Sequence, residues 1–458
     1  MMDRTYNNNF KSVRPVALDG RKGVYIETYG CQMNVNDSEV ILSILEKEGF
    51  ALCGEMEKAG LAIINTCAIR DNAEQRIWGR LDVFRQMKAR HPLVVCVVGC
   101  MAERLKDELL KHKAVDIVAG PDSYRKLPAL LRRMTEEDGR KQIDVMLSSE
   151  ETYADISPVR MDKNGVSAFI SIMRGCNNVC SYCVVPYTRG IERSRDPETI
   201  IREARELIEC GYKEINLLGQ NVDSYLWKGQ ETVNFASLLR KTAEISPDTR
   251  IRFSTSHPKD ISDEVLYTMA RYDNICKHIH LPVQSGSSRM LELMRRKYDR
   301  DWYLERIRKI REIMPDCSVT TDVIAGFCTE TEEDHRETLS LMEEVRFDGA
   351  FMFQYSERPG TLAARRYKDD VPPETKTSRL NEIIALQNRI SLENNQKEIG
   401  KHFRVLVEGH SKRDKDFLSG RASNNKMCVF PSKGQRPGEY AEVRITGCTS
   451  ATLIAENI

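Results

Sequence analysis

The sequence lacks any apolar run long enough to cross a bilayer. Its longest, around PLVVCVVGCMA, falls far short of the roughly 20 residues that a transmembrane helix requires. The N-terminus, MMDRTYNNNFKSVRPVALDGRKG, is polar and has no apolar h-region, so it does not read as a secretory signal. Net charge is also nearly absent, because 69 Lys plus Arg stand against 68 Asp plus Glu, leaving +1. Global charge therefore neither supports nor excludes a nucleic-acid partner, and any such case rests on local patches. Together these absences argue against a membrane or secreted protein and predict a cytoplasmic one.

What is present fits a soluble globular chain. Its 458 residues suggest roughly three domains at about 150 residues each. Hydrophobic content of 41% and charged content of 30% allow an ample core. Fourteen cysteines are not expected to form a disulfide framework in a compartment that keeps thiols reduced. Cys53, Cys96, Cys210, Cys276, Cys317, Cys428 and Cys448 lack a helpful context and read as small buried hydrophobes. Six others do not.

Three of the six share one loop, Cys176-Asn-Asn-Val-Cys180-Ser-Tyr-Cys183, entered through Arg174-Gly175. Thiols at this spacing can hold three corners of an iron–sulfur cube, and nothing nearby offers an obvious fourth. Cluster irons are normally held by cysteine thiolates, so an iron without one is open to an external ligand. If that ligand is S-adenosylmethionine, an electron passed into it starts radical chemistry.

The other three recur along the N-terminal third. Residues 24–29 (VYIETY), 61–66 (LAIINT) and 93–99 (LVVCVVG) read as strands, each followed by a helical run, and VDIVAG at 115–120 as a fourth. The first helical run spans Ser38 to Glu48. This alternation predicts a doubly wound parallel α/β domain. Cys31, Cys67 and Cys100 each fall just after a strand, where ligand sites form in open parallel sheets. Their repeated position predicts a second metal site.

Residues 141–165 read as an irregular connection with a polar close, MDKNG. Six further strands follow, at 168–175, 214–220, 250–256, 278–284, 319–327 and 350–356, with helices such as PETIIREARELIECG between them. They predict a full or partial (β/α)6 barrel, whose chemistry belongs at the C-terminal strand ends. A basic helical stretch runs from about Glu374 to Lys401. The last block has short alternating strands between turn residues, the pattern of a small all-β barrel. From Lys401 to Ile458, ten Lys/Arg stand against six acids, an excess of four that suits an RNA-contact module. The expected divisions are 22–140, 141–165, 166–398 and 401–458.

The segment RGCNNVCSYCVVPYTRGIERSR (174–195) resembles the radical S-adenosylmethionine superfamily, and within it the methylthiotransferases. YGCQMN (29–34), NTCAIR (65–70), GCMAER (99–104), LLGQNVDSY (217–225), HIHLPVQSGS (278–287) and FQYSERPGT (353–361) agree. PYTRGIERSR and LLGQNV look most like the MiaB-type branch, which acts on tRNA, and the final barrel is similar to the TRAM domain. The resemblance implies a [4Fe–4S] cluster on Cys176, Cys180 and Cys183, and an auxiliary [4Fe–4S] cluster on Cys31, Cys67 and Cys100. It places Tyr182 against the adenine of S-adenosylmethionine. Gly219 and Gln220 would lie by that cofactor's amino-acid part, with Ile324 and Gly326 on the fifth barrel strand. Arg193 and Arg195 would face cofactor or RNA phosphate. The basic groups considered for RNA are Arg189, Arg295, Arg296, Lys297 and the terminal barrel.

The implied reaction uses two S-adenosylmethionine molecules. One methylates a sulfur carried on the auxiliary cluster. The other yields a 5′-deoxyadenosyl radical, which takes hydrogen from C2 of N6-isopentenyladenosine at position 37 in the tRNA anticodon loop. An electron donor and a sulfur source are required, and the sequence identifies neither. The same chemistry on N6-threonylcarbamoyladenosine tRNA or on a ribosomal-protein aspartate is the alternative. A non-enzymatic zinc-stabilised RNA-binding protein fits less well, since structural zinc usually takes four protein ligands. The fifth strand departs from the superfamily pattern at Phe327-Cys328-Thr329-Glu330-Thr331. Cys328 is expected only to pack, because each cluster already has three ligands.

Overall fold

The computed structural model describes residues 22–67, 71–136, 140–161 and 165–458. The polar N-terminal stretch, residues 68–70 of NTCAIR and the centre of MDKNG lie outside the described residues. Two compact units result. Of the described residues, the first takes those up to 161 with 173–178 and 184–195, and the second takes 165–172, 179–183 and 196–458.

The first unit is built on six parallel strands: Lys22–Thr28 (β1), Phe50–Leu52 (β2), Leu61–Thr66 (β3), Val94–Gly99 (β4), Ile117–Ala119 (β5) and Gln142–Asp144 (β6). They lie in the order β2-β1-β3-β4-β5-β6. Its central strands are continuous apolar runs because both faces are covered. Successive residues point to opposite sides, so Ile63 and Val98 pack with Val40, Ile41 and Leu45 of helix Gln32–Glu46 (α1). Ile64 and Val97 pack on the other face with Ile77, Leu81 and Phe84 of helix Asp71–Lys88 (α2). The domain is doubly wound, as the alternation predicts. Helices Cys100–Leu105 (α3), Asp107–Lys111 (α4) and Leu127–Glu136 (α5) complete it.

Two local readings change. The sixth strand lies in the stretch read as irregular, since a three-residue edge strand pairs through its backbone and leaves no hydrophobic period. Helix α1 starts at Gln32, six residues before the apolar run, and it buries Asn34, Asn36, Asp37, Ser38 and Glu39. Hydrophobic periodicity cannot register a helical turn whose buried face is polar.

In the second unit, Ser167–Ser171 (β7), Glu214–Leu218 (β10) and Arg250–Ser254 (β13) pair in parallel, as do His278–His280 (β14), Ser318–Ala325 (β15) and Gly349–Gln354 (β16). Backbone bonds from Cys276 to Ile251 (2.9 Å) and from Ser256 to His280 (3.2 Å) join the two arcs. The result is the expected partial barrel of six strands. The two-residue ladder Met173–Arg174 (β8) with Arg193–Ser194 (β9) and helix Val185–Arg189 (α6) fall in the first unit. A hairpin of Leu226–Lys228 (β11) and Thr232–Asn234 (β12) is inserted after β10.

Helices Pro197–Glu209 (α7), Phe235–Ala243 (α8), Asp263–Arg271 (α9), Ser288–Leu293 (α10), Arg300–Ile313 (α11) and Glu332–Val345 (α12) intervene. All six start on a side chain that accepts from the first turn: Asp196, Asn234, Ser262, Ser287, Asp299 and Thr331, the last in a capping box with Asp334. Cys210, expected to be buried, is exposed because it caps the solvent end of α7.

After Leu362–Arg366 (α13) and Pro373–Gln396 (α14), His402–His410 (β17), Phe417–Arg421 (β18), Met427–Pro431 (β19), Tyr440–Cys448 (β20) and Leu453–Asn457 (β21) close a small barrel around Val405, Leu418, Phe430 and Val443. Arg252 anchors it, donating to Ser423 O (3.1 Å), Ala422 O (2.8 Å) and Glu214 (2.6 Å). Among the described residues no helix is long and apolar enough to cross a membrane.

Candidate active site

Strand order in the first unit reverses between β1 and β3, and open α/β sheets bind ligands at the carboxyl ends of strands at such a switch point. Cys31 follows β1 as the N-cap of α1, Cys67 follows β3, and Cys100 opens α3 directly after β4. The three thus leave neighbouring strands at the same edge. Glycines let the turns approach: Gly30 (φ +129°) and Gly99 (φ +93°) precede Cys31 and Cys100. A Cβ on Gly30 would lie 2.5 Å from Cys67 Cβ, and one on Gly99 would lie 2.5 Å from Asn65 Oδ1.

A buried polar layer supports these turns. The Cys31 thiol donates to Asn34 Oδ1 (3.2 Å), and Asn34 Nδ2 donates to Asn65 Oδ1 (2.9 Å). Asn65 returns Nδ2 to Asn34 O (2.8 Å) and to Ser38 Oγ (2.9 Å). One turn further, Asp37 accepts from Arg174 Nη1 (2.8 Å), Arg189 Nη2 (2.8 Å) and Tyr124 OH (3.2 Å). Burial pushes its carboxyl up, but the two guanidiniums prevail and hold it below the usual carboxylate range. Arg189 Nε also donates to Cys100 Sγ at 3.2 Å. Burial raises the Cys100 thiol despite that cation.

Arg189 Nη1 is buried and donates to no protein atom. Three thiols on separate turns beside a guanidinium with an unused donor fit an anionic iron–sulfur cluster, whose sulfides accept hydrogen bonds. Among the described residues no three His, Cys, Asp or Glu side chains close on a single-ion site. Thiolates of a cluster bind different irons and stand apart.

Cys176 belongs to the first unit, where its N–H donates to Gly190 O (3.2 Å) and its Sγ accepts from Asn178 N (3.4 Å). Cys180 and Cys183 belong to the second. Cys183 N donates to Cys180 O at 3.1 Å, and the buried Cys180 Sγ accepts from Arg296 Nη1 at 3.2 Å. Between them, Tyr182 meets Phe327 edge-on, with ring centroids 6.4 Å apart. Tyr182 and Ile324 pack on one cluster with Met290, Met294, Phe327 and Cys328, the last fully buried. Gly219 and Gln220 follow β10, and Gly326 follows β15, where its N–H donates to Glu330 (2.9 Å). Gln220 Oε1 and Asn221 Oδ1 are buried and accept from no protein donor. Such acceptors at a barrel strand's C-terminal end fit the ammonium group of S-adenosylmethionine.

Three arginines take different places from those expected. Arg193 does not face a cofactor: it is buried, donating to both oxygens of Asp122 (3.1 Å each) and to Ser148 O. Arg189 and Arg296 are not RNA contacts, since each is buried against a cysteine sulfur. Arg295 and Lys297 are exposed, lining with Arg289 and Val179 a cavity of about 850 Å³. Sequence reasoning missed Asn34, Asp37, Asn65 and Arg174. It also missed Thr255 (φ +73°) and Gln284 (φ +75°), left-handed residues just beyond β13 and β14. Backbone strain of this kind concentrates at functional sites.

A CxxxCxxC loop following the first strand of a partial (β/α)6 barrel defines a radical S-adenosylmethionine enzyme. Residues 170–342 match the Radical SAM superfamily, 23–120 the Uncharacterized protein family UPF0004, and 396–458 the TRAM domain. The chain is 60% identical over 450 residues to the tRNA-2-methylthio-N(6)-dimethylallyladenosine synthase of Amoebophilus asiaticus (strain 5a2), covering 95% of this chain and 92% of that one. It is 55% identical over 460 residues to the synthase of the same name from Bacteroides fragilis, covering 100% of both. The radical S-adenosylmethionine methyltransferase TsrM from Kitasatospora setae shares the fold, with a TM-score of 0.57 at 15% identity over 75% of each chain. The chain belongs to the family of tRNA-2-methylthio-N(6)-dimethylallyladenosine synthases.

Proposed function

We propose that the chain is a tRNA methylthiotransferase that converts N6-isopentenyladenosine at position 37 to its 2-methylthio derivative. The observation that carries this is the second tri-cysteine set, Cys31, Cys67 and Cys100, at the switch point of its own sheet. Radical initiation alone needs one cluster; a second, which Cys31, Cys67 and Cys100 would hold, would supply the chemistry of sulfur delivery. The relatives' name supplies the nucleoside, and the threonylcarbamoyl and ribosomal-protein substrates are not favoured. Cytoplasmic location and the expected divisions at 22–140, 141–165, 166–398 and 401–458 belong to the same reading.

Bound S-adenosylmethionine and the two clusters supply the electron transfer, the radical and the methylthio sulfur. The chain's residues do the rest. Cys176, Cys180 and Cys183 hold one cluster, and Cys31, Cys67 and Cys100 the other. Tyr182, fixed by Phe327, offers a ring face to adenine, while Gln220 and Asn221 offer acceptors to the cofactor's ammonium. Asp37 and Arg189 balance charge beside Cys100. The terminal barrel, with its local positive excess, is the RNA-contact module. An external electron donor and a sulfur source complete the reaction.

Mass spectrometry of tRNA from a deletion strain tests the assignment. Loss of the 2-methylthio group from N6-isopentenyladenosine is expected, and its persistence would refute the substrate. Iron counting tests the sites: replacing either cysteine triad with alanine should remove about half the iron, four atoms per cluster.

A further inference from the structure

Arg296 occupies an unusual stretch of backbone. Helix α10 ends at Leu293, and Arg295 (φ +56°) and Lys297 (φ +61°) both adopt the left-handed conformation. Arg296 N donates back to Leu291 O at 2.9 Å, closing the helix end. A non-glycine residue in this region costs roughly 1–2 kcal/mol, and two occur within three residues. The consequence is directional: Arg295 and Lys297 are exposed while Arg296, between them, is 4% exposed.

Every nitrogen of the inward guanidinium is fixed. Nε donates to Tyr298 OH (2.9 Å) and Nη2 to Pro282 O (2.8 Å). Nη1 donates to Cys180 Sγ (3.2 Å) and to Tyr182 OH (3.4 Å). Tyr298 OH is itself tied to Val283 O (3.0 Å), and its ring lies 5.4 Å under the guanidinium. Among the described residues no carboxylate pairs with Arg296. Arg189, the cation beside the other triad, shares its charge with Asp37. A buried cation with no counter-charge is strongly unfavourable on its own, so Arg296 is placed for an anion at Cys180.

We infer that Arg296 is a positioning residue that raises the reduction potential of the cluster held by Cys176, Cys180 and Cys183. Its N–H···S bond and uncancelled charge stabilise the reduced cluster, which carries one more negative charge than the oxidised one. Hydrogen bonds to sulfur and net charge are two established determinants of such potentials. The inference rests on the reading that these cysteines hold the radical-generating cluster.

The test uses the full chain with Cys31, Cys67 and Cys100 replaced by alanine, so that one cluster remains after anaerobic reconstitution. Its midpoint is measured by redox titration followed by electron paramagnetic resonance, without S-adenosylmethionine. Arg296→Gln should lower the reduced-to-oxidised ratio at fixed potential on the order of tenfold, or about 59 mV for one electron. Arg296→Lys keeps the charge without the planar fork and should fall between the two. An unchanged midpoint in Arg296→Gln overturns the inference and leaves the functional reading intact. If that variant does not take up iron, Arg296→Lys decides: a midpoint equal to the parent's overturns the inference. In a chain lacking Cys176, Cys180 and Cys183, Arg296→Gln should leave the auxiliary midpoint unmoved; a shift there would mean general loosening and would also overturn it. A parent chain that binds no iron at these cysteines would refute the reading itself.

Discussion

Asp37 accepts from Arg189 at 2.8 Å, and both side chains are buried. The same carboxylate accepts from Arg174, two residues before Cys176, while Arg189 donates to Cys100. One acid therefore steadies segments that carry a cysteine from each triad. Asp37→Asn keeps the shape but leaves the buried Arg189 guanidinium without its anion, and Arg174 with only Asp122 at 3.7 Å. Breaking a buried pair in this way costs about 3–5 kcal/mol. At about 2–4 °C per kcal/mol, the anaerobic thermal midpoint should fall by at least roughly 6 °C. A midpoint matching the parent's would show that the network carries no stability.

His257 and Asp223 should mask each other's pH dependence. Burial pushes His257 down to about 2 and Asp223 up to about 7, and His257 N donates to Asp223 Oδ2 at 3.2 Å. The histidine's contribution is complete above its unfolded value of 6.5 and is lost as pH falls. The acid's contribution is complete below its unfolded value of 3.8 and is lost as pH rises toward 7. Between these limits the slopes oppose, so the parent stays nearly flat. From pH 5 to 6.5, Asp223→Asn should gain about 2 kcal/mol of stability and His257→Asn should lose about as much. Denaturant melts at the two pH values measure this, and parallel responses in the two variants would rule it out.

The strands carrying the cysteines were legible because parallel strands buried on both faces are unbroken apolar runs, as in LAIINT and LVVCVVG. The six-strand series was legible for the same reason, and each cysteine's place after a strand gave the site its coarse position. The polar supports were not. Asn34 and Asp37 sit in the first two turns of α1, where polar composition suggests surface, and Asn65 is the one amide in the apolar run LAIINT. Only the fold brings Asn65 to Asn34, or Arg174 to Asp37, across long stretches of chain. Arg189 and Arg296 read as RNA contacts, and Arg193 as a contact to cofactor or RNA phosphate, because burial of a cation depends on partners elsewhere in the sequence.

Arg252 should determine whether the terminal barrel stays attached to the strands beneath it. It is 7% exposed, paired with Glu214, and it donates to carbonyls at both Ala422 and Ser423. Arg252→Ala leaves Glu214 buried without its cation, a loss of about 3–5 kcal/mol. Limited proteolysis should then cleave between Gln396 and His402, where α14 passes into β17. An unchanged digestion pattern would locate the attachment elsewhere, for instance in Arg250, which donates to Arg404 O and Arg421 O.

Cys328 lies near the expected cofactor yet has the surroundings of a packing residue. It is fully buried with Met290, Met294, Phe327, Tyr355 and Ala363, and burial raises its thiol. A thiol kept protonated among apolar side chains is a poor metal ligand, since the thiolate is the form that binds. Cys328→Ser places a hydroxyl in this environment at a cost of about 1–3 kcal/mol. Thermal unfolding should register that loss while iron and labile sulfide per chain stay at the parent's values. If iron fell instead, Cys328 would have to be counted among the cluster ligands, and the three-cysteine description of the radical site would be wrong.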